Sequence, residues 1–409
     1  MHLTPTTPLP PVRDDITAVE YAPGMIVIYD ESGYATENVT LSIDMVEWLA
    51  ELDGIRSALD LARMSAQLGE PFDSEAFIAA VAVLESGGFL ESETYRVLRR
   101  QVDESFGRAD YRPAVFAGQS YPSEPSELTA MLEQILASVP DDLIPDEPPM
   151  AIVAPHIDLR VGGQSYGPAY RALARSDAET FVIFGTSHQM PYDTFMISSK
   201  DYETPLGMLP TDRDLIEEFR SLLPFELTRD DRAHRQEHSI EFQALFIRHL
   251  FRDRDVRIVP ILTGSLHRYV EHGESNAEDD ERLTNIYTAL HEASQRLRRR
   301  VCYVAGADMS HIGRKFGDDC DAVEILAEAH ALDRVILECV ERVDAGGFLS
   351  ILAKNQNKYR VCGIAPIYAT LRTARASHGC LLAYDTWDER ARGSAVTFAS
   401  LALYAEQAR

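Results

Sequence analysis

The sequence predicts an α/β fold, a central and largely parallel sheet flanked by helices, preceded by a small winged-helix α+β domain. Two observations predict the larger part. Apolar runs at 150–154, 180–184, 256–262 and 300–305 alternate with helix-period stretches at 166–176, 211–222, 239–251 and 281–299. "DVRIVPILTGSL" and "VCYVAGADMS" are continuously apolar, as strands covered on both faces must be. A third observation sets residues 1–107 apart: they carry a hairpin and three helices with no strand–helix alternation.

Taken in order, "MIVIYD" (25–30) and "YATENVTLS" (34–42) read as a hairpin turning at "ESG". "IDMVEWLAEL" places Ile43, Val46 and Leu49 at helical spacing, with Trp48 and Leu52 widening the apolar face. "DGIRSALDLARMSAQLG" is a second helix, opened near Asp53-Gly54 and closed by Gly69. The third, "SEAFIAAVAVLES", follows Asp73; Phe77, Val81 and Leu84 form its stripe and Gly87-Gly88 end it. "FLESETYRVLRR" is expected to finish the unit as a wing-like strand pair. "ESFGRADYRP" then reads as a linker, giving domains 1–107 and 108–409.

Within the second domain, helices are also expected at 321–341 and 363–375, and "AVTFASLALYAEQ" as an edge strand. "RYVEHGESNAEDDERL" (268–283) reads as an acidic surface loop.

Composition narrows the function. A length of 409 residues suits two domains. A net charge of −26 argues against nucleic-acid partners, since holding a polyanion requires neutralising phosphates. No apolar run approaches the ~18 residues of a membrane span, so no membrane partner is expected. "MHLTPTTPLPPVRDD" has neither a basic n-region nor an apolar h-region, which leaves cytoplasmic residence as the expectation. The 5 cysteines show no CxxC spacing, so a cysteine that matters here acts as a single thiolate.

Ligands of open α/β sheets sit beyond the carboxyl ends of the strands. His156, His188 and the pair Asp308/His311 each follow a predicted strand within a few residues. His238 in "RQEHSIEFQALF" joins them, with Ser239 as the expected N-cap of a helix whose stripe is Phe242, Phe246 and Leu250. Cys362 in "YRVCGIAPIYATL" precedes another helix. Taken singly, each is an ordinary loop histidine or buried thiol; together, imidazole and thiolate suit iron, copper or zinc. His234, His249, His267, His272, His291, His330 and His378 lack this strand-end context.

"RPAVFAGQSYP", "APHIDLRVGGQSYGPAY", "FGTSHQMPYDTFMISSKDYETPLGMLPTD", "EHSIEFQ", "VPILTGSL", "ADMSHIGRKF" and "VCGIAPI" resemble, in order and spacing, the Memo family. In bacteria this is AmmeMemoRadiSam system protein B, similar in fold to class III extradiol dioxygenases. The resemblance implies a redox-metal site of His156, His188 and Cys362, with His238, Asp308 and His311 lining the same pocket. Three motifs depart from the family pattern: Ile157-Asp158-Leu159 replace Ala-Gly-Tyr, Gln189 replaces a second histidine, and Ile364 replaces an arginine. The stretch from "LSIDMVEWLAELDG" to "LESGGFLE" resembles the PqqD-like winged helices, which hold leader peptides.

The implied function is a Memo-like metal-dependent oxidoreductase using iron or copper, with zinc as a third choice, on an unidentified organic or peptide substrate. His238, Asp308 and His311 would then serve catalysis and orientation. Asp308 and His311 are three residues apart, so one tight turn would bring both into the pocket. At a helix N-terminus His238 should stay neutral and accept protons. The competing reading is a non-catalytic metal-binding protein that recognises a peptide or protein partner through its N-terminal domain. The blandest is an α/β protein whose polar pocket holds a small anion.

Overall fold

The computed structural model describes residues 3–35, 37–188, 192–271 and 277–406. The chain divides into two compact units, Met1–Ala109 and Asp110–Arg409.

In the first unit, β1 (Ile16–Ala22), β2 (Met25–Asp30) and β3 (Val39–Ser42) form an antiparallel sheet in that order. The expected hairpin is β2 with β3, and β1 adds a further strand across a turn at Gly24, whose φ of 74° suits glycine. Helices Ile43–Leu49, Ala58–Leu68 and Ser74–Gly87 follow. The second opens at Ser57 instead of Asp53-Gly54, because Ser57 and Asp60 form a reciprocal capping box. Leu49, Leu61, Phe77, Val81, Leu84 and Phe89 make the core.

The expected wing is absent. Glu93–Arg108 is a helix, because the Ser92 hydroxyl caps Tyr95 N, and Tyr95 and Phe106 repeat on one buried face. Arg13 is buried beneath it, bonded to Asp15, Asp30 and the Gly88 carbonyl, with its guanidinium 4.0 Å from the Tyr95 ring centre.

The second unit begins with β4 (Tyr111–Arg112), β5 (Ala151–Ala154), β6 (Thr180–Thr186), β7 (Phe195–Ile197) and β8 (Asp201–Tyr202). It continues with β9 (Arg257–Thr263), β10 (Val301–Gly306), β11 (Asp308–Gly313), β12 (His378–Glu389) and β13 (Ser394–Tyr404). The centre is the parallel block β5-β10-β6-β9, extended antiparallel by β7 on one side and β13 on the other. β4 and β8 pair apart from this sheet.

The C-terminal segment is therefore not an edge strand. β13 pairs with β12 along one side and with β11 and then β5 along the other, and all of it is buried. The edge is β12, whose residues are mostly half-exposed. Cores of Val153, Val182, Phe184 and Val259 on one face, and Ile152, Phe181, Ile183 and Ile258 on the other, cover the block. Among the described residues, no helix is long and apolar enough to cross a membrane.

Register fixes where the strands release their loops. Ala154, Gly306 and Gly185 lie side by side, so the residues after β5, β10 and β6 emerge at one end of the sheet. Helix His238–Leu250 crosses this end in close contact. A Cβ on Gly306 would stand 2.5 Å from Ser239 O, and one on Gly185 2.5 Å from Ser239 Oγ. Only glycine at both positions lets the helix N-terminus reach the strand ends. Glu241 on this helix is fully buried and bound by Arg112, the Tyr121 hydroxyl and Phe116 N. Arg112 also donates to the His234 and Glu237 carbonyls, at 3.0 and 2.9 Å.

Candidate metal centre

One ring donor atom each from His156, His188 and His238 lies within 4.8 Å of the other two. His188 and His238 stack with ring centres 4.9 Å apart, and His156 stands nearly perpendicular to both at 5.0 and 5.4 Å. Cys362 Sγ lies 3.3 Å from His156 Nε2. His156 is buried, His238 half-buried and His188 exposed, so the cluster opens to solvent past His188. Donors this close are near enough to share one ion at the ~2.0–2.3 Å bond lengths of imidazole and thiolate, so the residues present fit a metal.

Backbone and carboxylate partners aim the rings. His156 Nδ1 faces the Gly306 carbonyl at 2.9 Å. A carbonyl only accepts, so Nδ1 carries the proton and Nε2 is left for the site. His188 Nδ1 donates to Glu237 at 3.0 Å, and its backbone N donates to the same carboxylate at 3.0 Å. Glu237 also caps the helix, accepting from Ser239 N. Asp308 Oδ1 accepts the backbone N–H of His156 and Ile157 at 2.9 and 3.2 Å, and Oδ2 stands 3.6 Å from His156 Nε2.

The charges are organised accordingly. Burial opposes ionisation of Cys362, but His156, then His311, outweigh it and bring the thiol down to about 5, so it is a thiolate at neutral pH. Burial likewise opposes the charge on His156, and Asp308 and Cys362 overcome it to raise the ring to about 9. At His188 desolvation is outweighed by Glu237, and its pKa is raised. Burial, reinforced by the neighbouring His188 and His156, pushes His238 down to about 3 against the pull of Glu237, so it is neutral.

His156, His188, His238, Cys362 and Asp308 lie together, His311 sits further along β11, and two local details differ from expectation. Asp308 and His311 are not joined by a tight turn: they belong to β11, and a register shift between them offsets the strand's alternation. His311 Nδ1 bonds the Met309 carbonyl at 3.1 Å, and its ring packs edge-on against Phe316. The helix cap is Glu237 and not Ser239, whose hydroxyl instead donates to the Thr186 carbonyl. Glu237 is the residue that sequence reading passes over; a glutamate before a helix resembles an ordinary cap, and only the fold brings it to His188. Asp158 accepts from the Ser120 hydroxyl at 2.7 Å and pairs with Arg160. Ile364 is buried at the start of its helix. Gln189 lies outside the described residues.

Comparison with known families identifies the chain's relatives. The profile of the Memo-like protein family matches residues 112–402. The chain belongs to the Memo family. A MEMO1 family protein of Aquifex aeolicus is 27% identical over 360 residues, covering 87% of this chain and 90% of its own. A Memo relative from Pyrococcus furiosus, also a MEMO1 family protein, is 30% identical over 310 residues, 71% of this chain and 98% of that protein. The protein memo-1 homolog of Caenorhabditis elegans is 29% identical over 231 residues, 55% and 61% of the two chains. The Aquifex match is longer than the unit Asp110–Arg409, so it enters the N-terminal unit as well.

Proposed function

We propose that His156, His188 and His238, with Cys362 as a fourth donor, hold a redox metal, iron or copper, and that this Memo protein is an oxidoreductase of an organic or peptide substrate. The carrying observation is the convergence of three imidazole donors within 4.8 Å of each other beside a thiolate 3.3 Å from one of them. A mixed nitrogen and sulfur donor set favours these metals over magnesium or calcium. This assignment moves His238 from base to ligand: its ring stacks on His188 at 4.9 Å and supplies one of the three clustered donor atoms.

When bound, the metal supplies one-electron chemistry and Lewis acidity. The protein's own residues do the rest. Glu237 fixes the tautomer and orientation of His188, and Asp308 does so for the His156 loop through two backbone bonds. His311 Nδ1 is spent on Met309 O, which leaves Nε2 to accept a proton at the rim. The exposed side at His188 is where substrate enters. Free cysteines at all five positions fit the reducing cytoplasm as its compartment.

The test is oxygen consumption by protein purified without oxygen and loaded with iron(II) or copper(I), screened against organic reductants and peptides. Turnover that disappears in His311→Ala while metal is retained supports the reading. Full metal occupancy with no oxygen uptake under any substrate favours the non-catalytic binder.

A further inference from the structure

A cavity of about 790 Å³ lies within the N-terminal unit, between the proline-rich stretch Pro8–Pro11 and the start of helix Glu93–Arg108. Prolines, Val97 and Leu98 form its apolar walls, and of the three glutamates that line it, Glu85, Glu91 and Glu93, Glu85 is the buried one. Glu85 is only 7% exposed. Its Oε1 accepts from the Thr94 hydroxyl at 2.8 Å, while its Oε2 is buried with no hydrogen-bond partner.

A carboxylate offers about four acceptor sites, and one buried with a single partner forfeits hydration that nothing replaces. Native structures keep few such groups, and a cation entering the cavity would satisfy this one. The surroundings specify its sign. Glu91 and Glu93 stand at the rim, and the rim cation Arg96 faces Glu93 at 3.5 Å. Residues 1–110 hold 20 acidic against 7 basic side chains, a field that concentrates cations.

We propose that this cavity binds an ammonium or guanidinium group carried on an apolar stem, with Glu85 as its counter-ion and the prolines and Val97 packing the stem. The ligand is a free amine or the basic side chain of a peptide; the chemistry is shared. The terminal torsion of a glutamate is soft, so the carboxylate turns to meet an entering cation without moving its helix. The proposal stands independently of the metal centre.

Calorimetry on the full chain tests it, with agmatine and the blocked tripeptide Ac-Leu-Arg-Leu-NH2 as probes and Ac-Leu-Gln-Leu-NH2 as the neutral control. Saturable binding of a cationic probe is expected, with Kd below about 1 mM. Glu85→Gln should weaken it roughly tenfold or more, since it removes a charge-assisted bond. Binding of agmatine assigns a small amine, and binding of the arginine peptide alone assigns a peptide. Val97→Trp, at a position 39% exposed, should fill the cavity and abolish binding with Glu85 intact, which covers the case of a misfolded Glu85→Gln. Failure of both cations to bind, equal binding of the glutamine peptide, or affinities unchanged in both variants would overturn the assignment.

Discussion

Glu237 holds His188 twice, accepting from its ring Nδ1 and from its backbone N, each at 3.0 Å. The same carboxylate caps the helix that carries His238. One buried side chain thus orients one imidazole and anchors the helix that carries another, and the proposed metal affinity depends on a residue that is not itself a ligand.

Glu237→Gln should therefore keep the fold and weaken the site. Loss of a carboxylate that orients a ligating histidine typically costs 10–100-fold in metal affinity. Competition titrations of zinc(II) or iron(II) against a chelator would measure this; an unchanged affinity would show that the contact is structural only.

The Cys362 thiol should titrate with a midpoint of about 5 in the metal-free protein, read from thiolate absorbance or from the pH dependence of alkylation. Cys302, by contrast, is pushed up to about 12 by burial and stays a thiol. The sign for stability follows. A folded-state pKa lowered from 9.0 to about 5 contributes stability present above pH 9, lost as pH falls from there through 5. The His156 shift, from 6.5 to about 9, runs the other way and is lost as pH rises through 9. Between pH 6.5 and 9 the two slopes oppose each other, so the net rise in stability from this pair is expected between about pH 5 and 6.5. His156→Gln should return the thiol toward its ordinary range.

Arg112→Met should destabilise the second unit by about 3–5 kcal/mol, because it strands the buried Glu241 carboxylate without its cation. It also frees the Glu237 carbonyl. Denaturant melts should show a lower midpoint with an unchanged slope, and a double variant with Glu241→Leu should recover much of the loss.

Gly306→Ala should cost about 1–3 kcal/mol, since its Cβ would meet Ser239 O at 2.5 Å and push the helix N-terminus off the sheet. Metal affinity should fall alongside stability, because His238 moves with that helix. Reduced stability with full affinity would place the imidazoles under looser control than described here.

How much of this was legible in the sequence depended on range. The parallel block, and the emergence of His156, His188 and Asp308 from its strand ends, follow from local apolar runs and their final residues. Cys362 and His238 were legible as residues preceding helices. Long-range pairing was not. β12, "HGCLLAYDTWDE", mixes half-buried and exposed positions, so its pairing with β13 and the burial of β13 show only in the fold. The wing was misread because "FLESETYRVLRR" carries β-formers, whereas the Ser92 cap and the Tyr95–Phe106 repeat decide for helix. Glu237 and the Arg112–Glu241 pair depend on contacts that no local pattern announces.

The most direct measurement is metal stoichiometry after anaerobic loading with iron(II), copper(I) and zinc(II), by elemental analysis of the desalted protein and of four single variants. One ion per chain is expected in the wild type. His156→Ala, His188→Ala and His238→Ala should each lose it, and Cys362→Ser should bind more weakly with loss of the sulfur scatterer in the X-ray absorption spectrum. A wild-type chain that retains no ion, or one whose ion survives replacement of His156 and His188 together, would contradict the site.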